Sequence, residues 1–379
     1  MRILYLAESP AYHVVNDLVL FKQFSHETLV VNAQFTAHQN PLTPPGTPLV
    51  NLYGNSRFVR GKGFETIVAK VALDALGRLR DQLSDIVRRY QPDLIYSAWS
   101  SGVLPEISSL LKLRLRIPVV HRLIMYPSLV PEWLIKLENT YSARILPSVS
   151  GIITATEEMW QYIHTHVHVP DAVPHLVFWE YLSSDFYSKQ RLPLLSQRDG
   201  EPHLLFLGHG DFSRTSEDLL QQLLQISAQG VHIHLFNYKG DSRHNEYLHG
   251  FSHRRFETGE LATFASQFDA TLMTYDRSLP LNSPATFKNS PPNRFTAGIA
   301  SAIPILMPTG ILPTFEKFLS KHQLGLCYGN AVDLRTKLLD MDLMKGLRTR
   351  IHETKEQFSY EKHWTTLERF LKEVLEKRK

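Results

Sequence analysis

The segment from Pro292 to Met307 places Asn293 and Arg294 at what reads as the opening turn of a helix. Gly298, Ala300, Ser301 and Ala302 then give a face of small residues before Pro304 and the apolar run Ile305-Leu306-Met307. Helix starts gather backbone N–H groups without intrahelical partners and the positive end of the helix dipole, so an anion fits there. Arg294 is placed to clamp a phosphate at which the Thr296 and Ala297 amides point. A second loop has matching chemistry. Gly208-His209-Gly210-Asp211 follows an apolar strand pattern, its glycines admit close approach of a phosphate, and Arg214 adds a planar two-pronged cation. Tyr238 and Lys239, then Tyr275 and Asp276, follow the next two strand patterns and are candidates on the same edge.

The first half offers a different set. Tyr12 and His13 follow the first strand pattern, and a neutral imidazole accepts or positions a hydroxyl proton near physiological pH. Trp99 follows the strand pattern Asp93 to Ser97, while His121 and Arg122 end the one that starts at Pro118. His164, His166 and His168 alternate as metal ligands on a strand would, but no carboxylate has suitable local spacing, and an exposed loop or edge strand is expected. No metal is expected. The chain has no Gly-x-Ser-x-Gly elbow, no P-loop, and no Gly-x-Gly-x-x-Gly after its first strand.

These residues need a scaffold of alternating strands and helices. Arg2 to Ala7 reads as a buried strand, Tyr12 to Phe24 as a helix and Glu27 to Asn32 as a strand. Prolines and glycines between 33 and 63 leave room for one short strand at Leu49 to Tyr53. Apolar positions from Ile67 to Tyr90 recur every three or four residues and predict one long helix from Phe64, stopped by Pro92. Strands at 93–97, 118–123 and 151–155 alternate with helices at 104–113 and 132–146, and Thr156 is the expected N-cap of a helix with Glu157 and Glu158 in its first turn. After the polar stretch Ser196 to Gly200 the alternation restarts, with strands at 203–208, 231–236, 270–275 and 305–307. Asp269, just before one of them, is expected to be structural. The pattern predicts an α/β chain of two doubly wound parallel domains, 1–195 and 196–354, and an amphipathic helix at 355–379.

A chain of 379 residues favours two cores over one. At 43% hydrophobic and 21% charged it reads as a globular enzyme, and its apolar runs fall short of the roughly 20 residues a membrane helix needs. The first strand starts without a signal-peptide pattern, so a cytoplasmic location is expected. Cys327 is the single cysteine, which rules out an intrachain disulfide. A net charge of +4 is too mild for nucleic-acid binding, although it suits anionic nucleotides and peripheral contact with an anionic membrane.

The order Pro292-Asn293-Arg294, then Ala297 to Pro304, resembles the "Pro-Asn-Lys, then Glu-Tyr-Leu-Ala-Ala-Gly-Lys-Pro-Val" signature of GT-B glycosyltransferases, with Ala297 at the usual Glu position. The Gly208 loop is similar to the family's "Gly-Arg, then Lys" loop, with His209 in place of Arg and Arg214 near the Lys. His13 resembles the His of a "Ser-x-x-His" segment on the acceptor side. The retaining, family 4-type (group 1) branch is the nearest resemblance, and it carries paired Glu residues where this chain has Asn289 and Ala297. The resemblance implies two Rossmann-like domains facing a cleft, with the C-terminal helix packing back on the first. It implies sugar transfer from a nucleoside diphosphate sugar to a glycan or lipid-linked acceptor, as in polysaccharide biosynthesis, without a cofactor and with His13 as the catalytic residue. Gly208, His209, Gly210, Arg214, Tyr238, Asn293, Arg294 and Thr296 would hold the nucleotide, the ribose being left to a group such as Tyr238, Lys239 or Glu257. Tyr12, Trp99, His121, Arg122, Tyr275 and Asp276 would line the cleft. An inactive GT-B protein that binds a nucleotide or partner, a nucleotide-sugar epimerase and a non-enzymatic two-domain binding protein remain as alternatives.

Overall fold

The computed structural model describes the chain apart from residues 9–11, 34–45, 54–63, 100, 129–131, 210–216, 237, 239–244, 253–257, 276–283, 291 and 378–379. Two compact units emerge, Met1–Glu180 with His363–Lys379, and Tyr181–Lys362.

The first unit carries strands β1 (Arg2–Ala7), β2 (Glu27–Asn32), β3 (Leu49–Asn51), β4 (Leu94–Trp99), β5 (Val119–Leu123), β6 (Gly151–Thr154) and β7 (His175–Val177). They form one parallel sheet in the order β3-β2-β1-β4-β5-β6-β7. β1 has Ile3 to Ala7 fully buried, as its uninterrupted apolar run predicts for a strand covered on both faces. Helices α1 (Tyr12–Gln23), α2 (Phe64–Ala75), α3 (Arg78–Tyr90), α4 (Leu104–Lys112), α5 (Glu132–Ser142) and α6 (Glu157–Val167) connect the strands.

Two expectations need correction. The long helix from Phe64 is two helices, because Gly77 takes a left-handed φ of 75° between α2 and α3. A helix-like apolar period therefore survives a break that one glycine supplies. His164 and His166 lie on α6 and His168 is its left-handed C-cap, not a loop or edge strand. The buried stripe Met159, Trp160, Ile163 and Val167 fixes the helical period, which points the two helical histidines apart. Thr156 does cap this helix, its Oγ1 accepting the Met159 N–H at 3.1 Å.

The second unit holds α7 (Ser196–Asp199), β8 (His203–His209), α8 (Glu217–Ser227), β9 (His232–Phe236), β10 (Leu248–Phe251), α9 (Glu260–Ala265) and β11 (Ala270–Leu272). It continues through α10 (Pro284–Asn289), α11 (Asn293–Ser301), β12 (Ile305–Pro308), α12 (Pro313–His322), β13 (Gly325–Tyr328), α13 (Ala331–Leu339) and α14 (Met341–Thr354). Its parallel sheet runs β10-β9-β8-β11-β12-β13, the doubly wound order 3-2-1-4-5-6. β9 alternates, with Ile233 and Leu235 in one core and His232 and His234 on the opposite face. The small residues of α11 let it press on the sheet: a Cβ on Gly298 would meet Ile305 Cγ1 at 2.7 Å and Thr271 Cγ2 at 2.9 Å. Asp269 is structural, its carboxylate accepting from Ser196 Oγ at 2.7 Å and the His203 N–H at 2.8 Å.

The C-terminal helix α15 (Tyr360–Glu376) packs on the first unit through its residues from His363 onward. Trp364 stacks on Phe24 with ring centroids 4.4 Å apart, and a Cβ on Gly151 would meet Val374 Cγ2 at 2.9 Å and Phe370 Cζ at 3.0 Å. Among the described residues no helix is long and apolar enough to cross a membrane.

Candidate functional site

In an open parallel sheet the connections before and after the first strand leave in opposite directions, and the crevice at that switch point, outside the carboxyl ends of the strands, is where ligands bind. In the second unit it lies between β8 and β11. Arg294, in the first turn of α11, reaches it: Nη1 donates to the Thr274 carbonyl at 3.1 Å, just past the end of β11. The guanidinium carbon stands 4.8 Å from the ring centroid of Phe206 on β8 and 4.6 Å from that of Tyr275. One hydrogen bond and two aromatic faces therefore fix the plane of the cation, leaving little rotamer freedom to lose when it meets an anion. Desolvation pushes the Tyr275 phenol up, against the pull of Arg294. Thr274 is buried, and its Oγ1 donates to Gln222 Oε1 on α8 at 2.7 Å.

The structure brings Arg294, expected at the nucleotide site, together with the cleft candidate Tyr275 at the switch point, with Gly208 and His209 ending β8 and Asn293 opening α11. Thr296 is buried within α11, and Tyr238 follows β9, its carbonyl against Gly250 of β10. Gly210, Arg214, Lys239, Glu257 and Asp276 lie outside the described residues. Asn289 and Ala297, at the places of the paired Glu, are both buried, 3% and 5% exposed.

In the first unit, Tyr12 and His13 open α1 directly beyond the end of β1, and Trp99 ends β4. His121 is buried at mid-sheet, where desolvation holds its imidazole down at about 3. Arg122 is committed to a buried ion pair: Nη1 meets Asp17 Oδ1 of α1 at 2.5 Å, and the Tyr5 hydroxyl donates to Asp17 Oδ2 at 2.6 Å. Arg122 also lies 5.6 Å from the Phe178 ring. Asp17 thus ties α1 to β1 and β5, which fixes the helix that begins with Tyr12 and His13.

Sequence reasoning passed over a polar group at the first unit's own switch point, between β1 and β4. Lys70 of α2 is fully buried, donates to the Gly102 carbonyl at 2.8 Å, and pairs with Glu106 at 3.2 Å and Glu8 at 3.9 Å. The Tyr53 hydroxyl donates to Glu106. Burial pushes the Glu8 carboxyl up while Lys70 pulls it down. The signal available in the sequence was a lysine and an aspartate, Lys70 and Asp74, spaced by one helical turn beside the apolar stripe.

No protein-family model matches the chain, and no curated protein matches it. Solved structures do. Sucrose-phosphate synthase (tll1590) from Thermosynechococcus elongatus aligns over 99% of both chains at 12% identity and a TM-score of 0.67. Anabaena Alr3699/HepE, in complex with UDP and glucose, aligns over 98% of this chain and 100% of its own at 14% identity and a TM-score of 0.64. The lipopolysaccharide outer core galactosyltransferase WaaB aligns over 98% and 99% at 11% identity and a TM-score of 0.62. The fold of this chain is that of the GT-B glycosyltransferases, two Rossmann-like units in succession.

Proposed function

We propose that the protein is a glycosyltransferase that uses a nucleoside diphosphate sugar as donor and a glycan or lipid-linked acceptor, with retention at the anomeric carbon. The observation that carries this reading is Arg294, whose guanidinium lies over the Phe206 and Tyr275 rings at the β8/β11 switch point, beside the start of α11. An organised cation and a helix start suit a diphosphate. The likeness to HepE, whose structure contains UDP and glucose, supports the same choice of ligand class. In this reading Gly208, His209, Gly210, Arg214 and Asn293 complete the diphosphate site, and Tyr238 contributes to holding the nucleoside. Tyr12, Trp99 and Asp276 belong to the surroundings of the reacting groups, whereas His121 and Arg122, expected there from sequence, are buried in the sheet and act on the site only through the scaffold.

The reaction breaks the bond between the anomeric carbon and the diphosphate oxygen, whose electron pair leaves with the nucleotide, and forms a bond from that carbon to an acceptor hydroxyl. His13 takes the hydroxyl proton, and Arg294 with the α11 amides stabilises the charge on the departing diphosphate. No cofactor enters the scheme. Domains of 1–195 and 196–354 with a closing segment 355–379 are the functional division that goes with this reading, and the protein acts in the cytoplasm.

The test pairs calorimetry with nucleoside diphosphates against release of nucleotide from a panel of nucleoside diphosphate sugars. Binding together with turnover that falls about 10²- to 10⁴-fold in His13→Ala, at unchanged donor affinity, is the expected result. Binding without turnover across a broad acceptor panel would make the chain a nucleotide-binding protein, and absence of binding would end the proposal.

A further inference from the structure

The amino edge of the second unit's sheet, opposite the switch point, holds chemistry that sugar transfer does not use. His203 and His232 are cross-strand neighbours at the starts of β8 and β9, and the same register places His249 of β10 beside His234. Four imidazoles from three strands therefore lie on one face. His203 and His232 stack with centroids 4.4 Å apart and planes 11° from parallel, and both turn Nε2 toward Asp199 of α7, His203 at 2.9 Å and His232 at 3.9 Å from Oδ2.

We propose that Asp199, His203 and His232 form a binding site for a divalent metal of the zinc class. One ligand atom from each lies within 4.8 Å of the other two. Tetrahedral zinc with ligands at about 2.0–2.1 Å needs them about 3.3 Å apart with their lone pairs converging, so the site must contract and the two stacked rings, 11° from parallel, must tilt toward a common point. Asp199 contributes the contraction most readily, since its side chain is 44% exposed on a single helical turn, and the tilt falls to His232, whose side chain is 15% exposed against 7% for His203. Two imidazole nitrogens and one carboxylate oxygen match zinc better than calcium or magnesium, which prefer oxygen ligands alone.

The second contacts of these imidazoles strengthen the argument. Metal-bound histidines characteristically use their other ring nitrogen to hold a fixed partner. Here His203 Nδ1 meets His234 Nε2 at 2.9 Å and His232 Nδ1 meets His249 Nε2 at 2.7 Å, so both rings are already oriented with Nε2 toward Asp199. The exposed carboxylate leaves an entry path and a fourth position for water. A metal bound there joins α7 to β8 and β9 and acts as a structural clasp. The alternative is a metal-free ladder in which His203 Nε2–H donates to Asp199.

The test uses the full chain, purified with chelator, then titrated at pH 7.5 with zinc chloride alone against a chromophoric indicator, and with cobalt chloride for its visible spectrum. One tightly bound zinc per chain, a tetrahedral cobalt spectrum, and at least tenfold weaker binding in Asp199→Asn and in His232→Gln are expected. His164→Gln/His166→Gln, on α6, should bind as the parent does. If His232→Gln does not fold, as its circular dichroism would reveal, the exposed Asp199→Asn decides. Absence of a cobalt spectrum, zinc binding indifferent to Asp199→Asn, or binding lost in His164→Gln/His166→Gln would overturn the proposal in favour of the ladder.

Discussion

Arg294→Ala separates a phosphate-binding role from a packing role. Among the described residues the side chain supports one hydrogen bond, to Thr274, and two cation–π contacts, with Phe206 and Tyr275. At about 0.5–1 kcal/mol for each ring and about 1 kcal/mol for the bond, truncation should cost the unit about 2–3 kcal/mol of stability. If the guanidinium also makes a charge-assisted bond to the diphosphate, another 1.5–3 kcal/mol is lost from binding, which is about a 10- to 150-fold weaker dissociation constant. Arg294→Lys keeps the charge but loses the planar contact with both rings, so its affinity should fall between the two. Calorimetry with UDP measures affinity, and thermal unfolding followed by circular dichroism measures stability. Lower stability with UDP affinity within twofold of the parent would refute the phosphate role and leave Arg294 as a pin between β8 and β11.

Asp17→Ala should destabilise the first unit by about 3–5 kcal/mol, because the buried Arg122 guanidinium loses its carboxylate, and Arg122→Met in the same chain should restore most of the loss; denaturant titration of both variants checks this, and a loss below about 1 kcal/mol would discard the ion pair as a structural device. His121 gives a pH prediction: its imidazole, held at about 3 in the folded chain, titrates near 6.5 when unfolded, so the unfolded chain binds the extra proton between those values and acid favours unfolding. Its penalty is absent above about pH 6.5, reaches about 2 kcal/mol at pH 5 and levels off below about pH 3, so His121→Leu should show a shallower acid limb in stability against pH; parallel limbs would show that His121 does not couple to folding.

The strands of both sheets were legible where burial on both faces left an uninterrupted apolar run, as in Ile3 to Ala7 and Ile305 to Met307. The short edge strand β3 was expected within Leu49 to Tyr53, but β10 and β13 were not legible. β10 contains His249 and Gly250, and β13 has four residues and begins at Gly325, where a Cβ would collide with the Ile305 carbonyl oxygen at 1.9 Å. Neither presents a period long enough to read, and both are recruited by a neighbour already in the sheet. The histidine triplet misled for the converse reason: alternation over five residues imitates a strand, while the stripe from Met159 to Val167 sets the real period.

The candidate site was legible as a position more than as a set of contacts. Knowing that α11 follows β11 is enough to put Arg294 at the strand ends, but the rings that hold it come from residues 206 and 275, a distance in sequence that no local pattern reveals. The departure at Ala297 gains meaning from the same geometry. Its side chain is buried, and α11 has no acidic residue in its first turn. If the site takes a diphosphate as proposed, a carboxylate in this first part of the helix would oppose its charge, and the replacement leaves the helix start and Arg294 as an undiluted positive site. The diphosphate should therefore dominate affinity, with the sugar and ribose adding less than they would beside a carboxylate. UDP and a UDP-sugar should accordingly bind with nearly equal strength, and selectivity among donors should fall to the residues that meet the base and the acceptor.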